Sequence, residues 1–237
     1  MTDVVVLGFP RSTYVHIVRL VLTHKGIPYT FRDLEPEMGS ASHLALHPFD
    51  RVPILQHGDF TLYEASAIAT YVDEAFEGPP LQPKDVRARA RMNQWISCVN
   101  SYYYPYMIYH VTHERLVYPQ LGIASDEKVV AHALPKIERA LHVLETALGH
   151  GADYIIGREL TLADFFMLPQ HVCVWADRRR QGDVSFSPGA RAWKRCRASS
   201  VFARPCRHAS LLSTPANGLF RTVRNIDTHQ AHCVGAA

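Results

Sequence analysis

Few side chains in this sequence are placed to do chemistry. Ser12 follows a Gly8-Phe9-Pro10-Arg11 turn and stands where a helix should begin, so its hydroxyl can cap that helix. Pro53 enters a short apolar run, and Glu64 opens a later helix whose first amides are available to an anion. Tyr102, Tyr103, Tyr104, Tyr106 and Tyr109, with Met107, could form an aromatic and apolar wall or simply pack a helix pair. His110 and His113 lie three apart with Glu114 next to them, but a third ligand with suitable spacing is missing, so no metal site is expected. Cys98 and Cys173 read as packing residues rather than nucleophiles.

The elements that must hold these residues can be read from the pattern. Val4-Val5-Val6-Leu7 reads as a buried strand closed by Gly8. Val15, Val18 and Leu22, with Ile17 and Leu20, form a helical stripe that ends near Gly26. Tyr29-Thr30-Phe31-Arg32 is a second strand, and the β-α-β unit has the length a parallel crossover requires. Residues 38–47 are weakly helical. Val52 to Gln56 and Phe60 to Leu62 form a hairpin about the turn His57-Gly58-Asp59, and a helix from about Glu64 to Phe76 follows. Gly78-Pro79-Pro80 to Pro83 reads as a linker.

Beyond the linker the pattern is helical only. Residues 84–117 form one long stretch that Pro105 should kink, and residues 126–148 form an amphipathic helix containing Pro135. Residues 161–177 form a third helix. It opens on Thr161 and Asp164 as a capping box, with Leu160 and Phe165 placed as a hydrophobic staple. Residues 190–202 could be helical, and no periodicity is sustained from about Arg204 on.

Composition narrows the class. The chain has 237 residues, 47% of them hydrophobic and 20% charged, enough for a sizeable core. No apolar run approaches the ~20 residues that span a bilayer. The start Met1-Thr2-Asp3 lacks the basic region of a secretory signal, and the 5 cysteines form no CxxC, so a reducing, cytoplasmic setting is expected. The net charge of +3 divides unevenly: residues 1–176 hold 14 basic and 19 acidic side chains, and residues 177–237 hold 11 and 3. The basic tail has neither aromatic interleaving nor amphipathic period, so it supports no nucleic-acid or membrane partner.

A β-α-β unit followed by β-β-α, with a proline entering the third strand, is the pattern of a thioredoxin-type domain. A cis bond at that proline would turn the preceding residue's backbone outward, to pair with an extended peptide ligand. The ligand's carboxylate would meet the helix start at Glu64.

Four blocks carry a resemblance to a family. Gly8-Phe9-Pro10-Arg11-Ser12-Thr13 with Val18-Arg19 resembles the start of cytosolic glutathione transferases, nearest the phi-like serine-type members of bacterial and fungal kind. His47-Pro48-Phe49-Asp50-Arg51-Val52-Pro53 and Asp59-Phe60-Thr61-Leu62-Tyr63-Glu64-Ala65-Ser66-Ala67-Ile68 are similar to two further family blocks. Leu160 to Asp164 is similar to the capping box of the family's buried sixth helix.

The resemblance implies a thioredoxin-like glutathione-binding domain over 1–78, an all-helical domain over 84–203 and a basic tail over 204–237. It implies glutathione as co-substrate, no metal, and a homodimer. Ser12 would donate to the glutathione sulfur, and Val52 and the cis-proline Pro53 would present backbone to the cysteinyl part. Glu64 would receive the γ-glutamyl ammonium, with Arg51 and Ala65 beside it. Phe9, Tyr103, Tyr106 and Met107 would line the pocket for a small apolar electrophile between the domains. The reaction implied is conjugation by the glutathione thiolate.

Three departures keep alternatives open: the family's serine after the glutamate is Ala65, its Gln or Lys before Val-Pro is Arg51, which could contact a glutathione carboxylate or face solvent, and its basic pair falls near Met38-Gly39. The alternatives are a glutathione-dependent isomerase or dehalogenase, and a non-catalytic binding or regulatory module on the same fold.

Overall fold

In a computed structural model the structure describes residues 3–149 and 152–170. Residues 171–177 of the helix expected over 161–177, the helix expected over 190–202, the basic tail and Cys173 fall outside these residues.

β1 (Val4–Gly8) leads into α1 (Thr13–His24), and β2 (Thr30–Asp33) returns parallel to β1. The apolar stripe read from the sequence is the buried face: Val15, Ile17, Val18 and Leu22 are fully buried. Gly8 has a steric reason to be glycine, since a Cβ there would stand 2.4 Å from a methyl of Val15. A side chain would separate the end of β1 from the start of α1.

A 3-10 turn (Glu35–Glu37) and α2 (Ala41–Leu46) then bring the chain back to the sheet. β3 (Ile54–His57) and β4 (Phe60–Tyr63) form the hairpin, with Gly58 at φ 61° in its turn. The sheet order is β2-β1-β3-β4, with β3 antiparallel to both neighbours. α3 (Ala65–Ala75) packs with α1, and Ile68, Ala69 and Val72 are buried.

Lys25, at the end of α1, ties the linker down. Its buried ammonium meets Asp73 Oδ1 at 3.0 Å and also donates to the Asp73 and Pro79 carbonyls. The Asp73 carboxylate accepts from the Leu81 amide, and the Leu81 carbonyl accepts from Leu162 N–H. One buried ion pair thus links α1, α3, the linker and the helix at 162–170.

The long helical stretch is not uniform. α4 (Val86–Cys98) is capped by Asp85, and the chain then widens into π-helix over Val99–Tyr103 and Pro105–Val117, ending in the short α5 (Tyr118–Gln120). The break expected at Pro105 takes the form of this change in winding. Side chains serve the carbonyls five residues back: His110 Nδ1 donates to Pro105 and Thr112 Oγ1 to Met107. α6 (Glu127–Leu148) buries Val130, Ile137, Leu141 and Leu144 against the π-helical segments. It continues through Pro135 rather than ending there, because Pro135 lies on the exposed face. Buried Glu114 accepts from the Asp126 amide at the start of α6.

Residues 162–170 are helical. The return half of the expected capping box is present, Asp164 Oδ2 accepting from Thr161 N–H at 2.9 Å. The Thr161 hydroxyl also donates to this carboxylate, and Asp164 Oδ1 accepts from the Ile155 amide. Burial pushes the Asp164 carboxyl up to about 6.

Candidate functional site

The register of the sheet brings three separate sequence blocks to one edge. Leu7, near the end of β1, stands opposite Ile54 at the start of β3, and Ile54 stands opposite Tyr63 at the end of β4. The segments just beyond these residues, Phe9 to Ser12, Arg51 to Pro53, and Glu64 to Ala65, therefore emerge together. α1 and α3 both begin there, so two helix N-termini with unpaired amides flank the edge.

Ser12 is half-buried and is the N-cap of α1, its Oγ accepting from the Val15 amide at 3.3 Å. The bond uses a lone pair, so the hydroxyl proton remains available to an anion in the cleft. The Val52–Pro53 peptide is cis. Val52 makes no backbone hydrogen bond among the described residues, leaving its N–H and C=O for a ligand. Arg51 is half-buried, and among the described residues it has no carboxylate within ion-pair distance. Glu64 is exposed at φ 71°, a backbone conformation unusual for a non-glycine residue, in the turn from β4 into α3. Ala65 follows at the first helical position, so its amide is directed at the same edge although it has no hydroxyl.

Tyrosines of α1 and of the helical half meet beside the start of α1. The Tyr14 ring lies 4.5 Å from Tyr104, and its hydroxyl donates to Asn100 Oδ1 at 3.0 Å. Tyr104 in turn meets Tyr109 edge-on at 5.1 Å. Burial, then the neighbouring Tyr109, pushes both the Tyr14 and the Tyr104 hydroxyl well up, so both stay protonated at neutral pH. The Glu64 carboxylate contributes to the shift of Tyr14, and the Arg51 charge opposes that of Tyr104.

The four residues expected in the electrophile pocket separate. Phe9 is half-buried at the sheet edge. Tyr103 and Met107 are corrected to core positions, 2% and 1% exposed, and the Tyr103 hydroxyl donates to the Ala140 carbonyl of α6 at 2.6 Å. Tyr106 also turns toward α6, with the Lys136 ammonium 4.6 Å from its ring centre. Tyr104 and Tyr109, which were among the aromatic candidates in the sequence, form a ring cluster with Tyr14, which was not. The signal for Tyr14 was its position two residues after Ser12, off the apolar stripe of α1.

His110 and His113 make local contacts. His110 bonds to Pro105, and His113 stacks on Tyr109 and Tyr118. No group of three His, Cys, Asp or Glu side chains that could hold a metal exists among the described residues. Cys98 is half-buried and its thiol is pushed up by burial.

A four-stranded thioredoxin-like domain joined to a helical domain, with a cis-proline and two helix N-termini at one edge of its sheet, defines the architectural class. The family model of the glutathione S-transferase N-terminal domain matches residues 6–80, and that of the C-terminal domain matches residues 100–183. Glutathione S-transferase 1 of Dianthus caryophyllus is 33% identical over 167 residues, covering 69% of this chain and 73% of that protein. A Populus trichocarpa glutathione transferase shares the fold with a TM-score of 0.78 at 24% identity, over 88% of this chain and all of that one. Glutathione S-transferase I from mais, solved with an atrazine glutathione conjugate, shares it with a TM-score of 0.75 at 24% identity, over 90% of this chain and 99% of that one. The chain belongs to the glutathione S-transferase family.

Proposed function

We propose that this protein conjugates glutathione thiolate to small hydrophobic electrophiles, as a serine-type transferase. The observation that carries the reading is the convergence at one sheet edge of Ser12, the cis Val52–Pro53 backbone and the Glu64-Ala65 helix start. Glutathione lies extended along Val52. Its γ-glutamyl ammonium meets the Glu64 carboxylate, and its γ-glutamyl carboxylate meets the Ala65 amide. Arg51, lacking an acid partner among the described residues, takes up a carboxylate of the tripeptide in place of the basic pair missing at Met38-Gly39.

A free thiol titrates near about 8.5, so little is ionised at neutral pH. The Ser12 hydroxyl and the amides opening α1 stabilise the anion and lower that value. The thiol proton goes to solvent. The thiolate sulfur forms the new C–S bond, and the leaving group departs with its electron pair. Phe9 and the Tyr14–Tyr104–Tyr109 shelf bound the apolar electrophile.

The family and the mais conjugate complex support glutathione as co-substrate. The relatives named above are plant proteins and lend no support to a bacterial or fungal affinity. The domain boundaries near 78 and 84, a homodimer through faces of both domains and a cytoplasmic location belong to the same proposal. No helix among the described residues is long and apolar enough to cross a membrane.

Turnover of a chloro-nitroaromatic substrate with glutathione, in wild type and Ser12→Ala, tests the reading. Glutathione binding with turnover that falls on substitution supports it. Glutathione binding without turnover on a panel of electrophiles supports the non-catalytic module, for which the alanine at position 65 is the specific argument.

A further inference from the structure

The sheet edge rests on a buried histidine that the reaction does not use. His43, on α2, is fully buried, and both ring nitrogens are occupied. Nδ1 faces two groups: the Gly39 amide donates to it at 3.1 Å, and Asp50 Oδ1 stands 3.1 Å away. Nε2 lies 3.0 Å from the Arg51 carbonyl. In the neutral ring that accepts from Gly39, the proton sits on Nε2. In the charged ring that pairs with Asp50, both nitrogens carry protons. Either way Nε2–H donates to the Arg51 carbonyl, so that bond is independent of the protonation state.

The Arg51 carbonyl is one peptide before the cis Val52–Pro53 bond, and Asp50, on its other side, sits at φ 54°. The turn is therefore bent at both ends, and a buried donor holds its middle. The same histidine anchors Gly39, where the family's basic pair would fall. We propose that His43 is a positioning residue of the glutathione site, fixing through the Arg51 carbonyl the orientation in which Arg51 and Val52 meet the tripeptide. The proposal rests on the glutathione reading above and adds to it the residue that pre-organises the site.

The test compares His43→Phe, His43→Asn and His43→Gln in the full chain, by glutathione KM, kcat at saturating glutathione, and melting temperature. Gln can place an N–H near the Nε2 position; Asn reaches only the Nδ1 position, and Phe keeps the ring without a donor. The expected result is a glutathione KM raised about ten-fold or more in Phe and Asn, with kcat within about three-fold of wild type and near-wild-type KM in Gln. If Phe does not fold, the contrast between Asn and Gln carries the same information. An unchanged KM in Asn, or a KM as poor in Gln as in Asn, overturns the assignment while leaving the glutathione site standing. A wild type that neither binds nor turns over glutathione overturns the site reading, and this assignment with it.

Discussion

The two halves of the chain build their sides of the cleft by different means. The N-terminal half works through backbone: a cis peptide at Val52–Pro53, a left-handed residue at Glu64, a capped helix start at Ser12 and the bare amide of Ala65. The helical half works through side chains, Tyr104 and Tyr109, whose rings meet Tyr14 of α1. Backbone devices admit few residue types, so they leave motifs. An aromatic wall admits many residues at many positions, so it leaves only composition. On the proposed function, the first half would fit one constant ligand, and the second could vary with the electrophile.

The largest expected effect would separate the halves at their join. Lys25→Met leaves the Asp73 carboxylate buried without its cation, and should cost about 3–5 kcal/mol by urea denaturation. If the variant is as stable as wild type, the linker is held by apolar packing and the ion pair is incidental.

A second prediction concerns the helical half and its pH dependence. The Asp164 carboxyl is held at about 6 in the folded chain, above its ordinary 3.8. The folded state therefore holds this proton more tightly than the unfolded state. The group's stabilisation is complete below the unfolded value and is lost as pH rises through about 6, a change of about 3 kcal/mol. Stability curves of wild type and Asp164→Asn should diverge in slope between these values, and parallel curves would refute the assignment.

The comparison itself is sharpened by Tyr104→Ala. It should raise the KM for an aromatic electrophile by about ten-fold, the size expected for removing one buried aromatic contact, and leave the glutathione KM unchanged. A matching rise in the glutathione KM would show that the two walls are not independent.

The legibility of each half follows from these means. The strand ends and the α1 stripe were readable to within a residue or two, because alternation and 3.6-residue spacing report burial directly. Ser12, Pro53 and Glu64 were readable because turns and caps restrict residue type. Tyr103 and Met107 were placed beside the electrophile by the family resemblance alone, and in the segment that winds as π-helix from Val99 they pack in the core, with the Tyr103 hydroxyl bonded to α6. The role proposed for His43 was hidden because its hydrogen bonds go to backbone groups, the Gly39 amide and the Arg51 carbonyl, and nothing in those residue types signals them.

The central claim is that Ser12 and the start of α1 hold glutathione as a thiolate. The direct measurement is an ultraviolet titration of the thiolate of enzyme-bound glutathione, in wild type and Ser12→Ala. The account predicts that the bound thiol in wild type titrates well below the free value of about 8.5 and returns toward it in Ser12→Ala. Identical titrations in the two proteins, with glutathione bound in both, would contradict it.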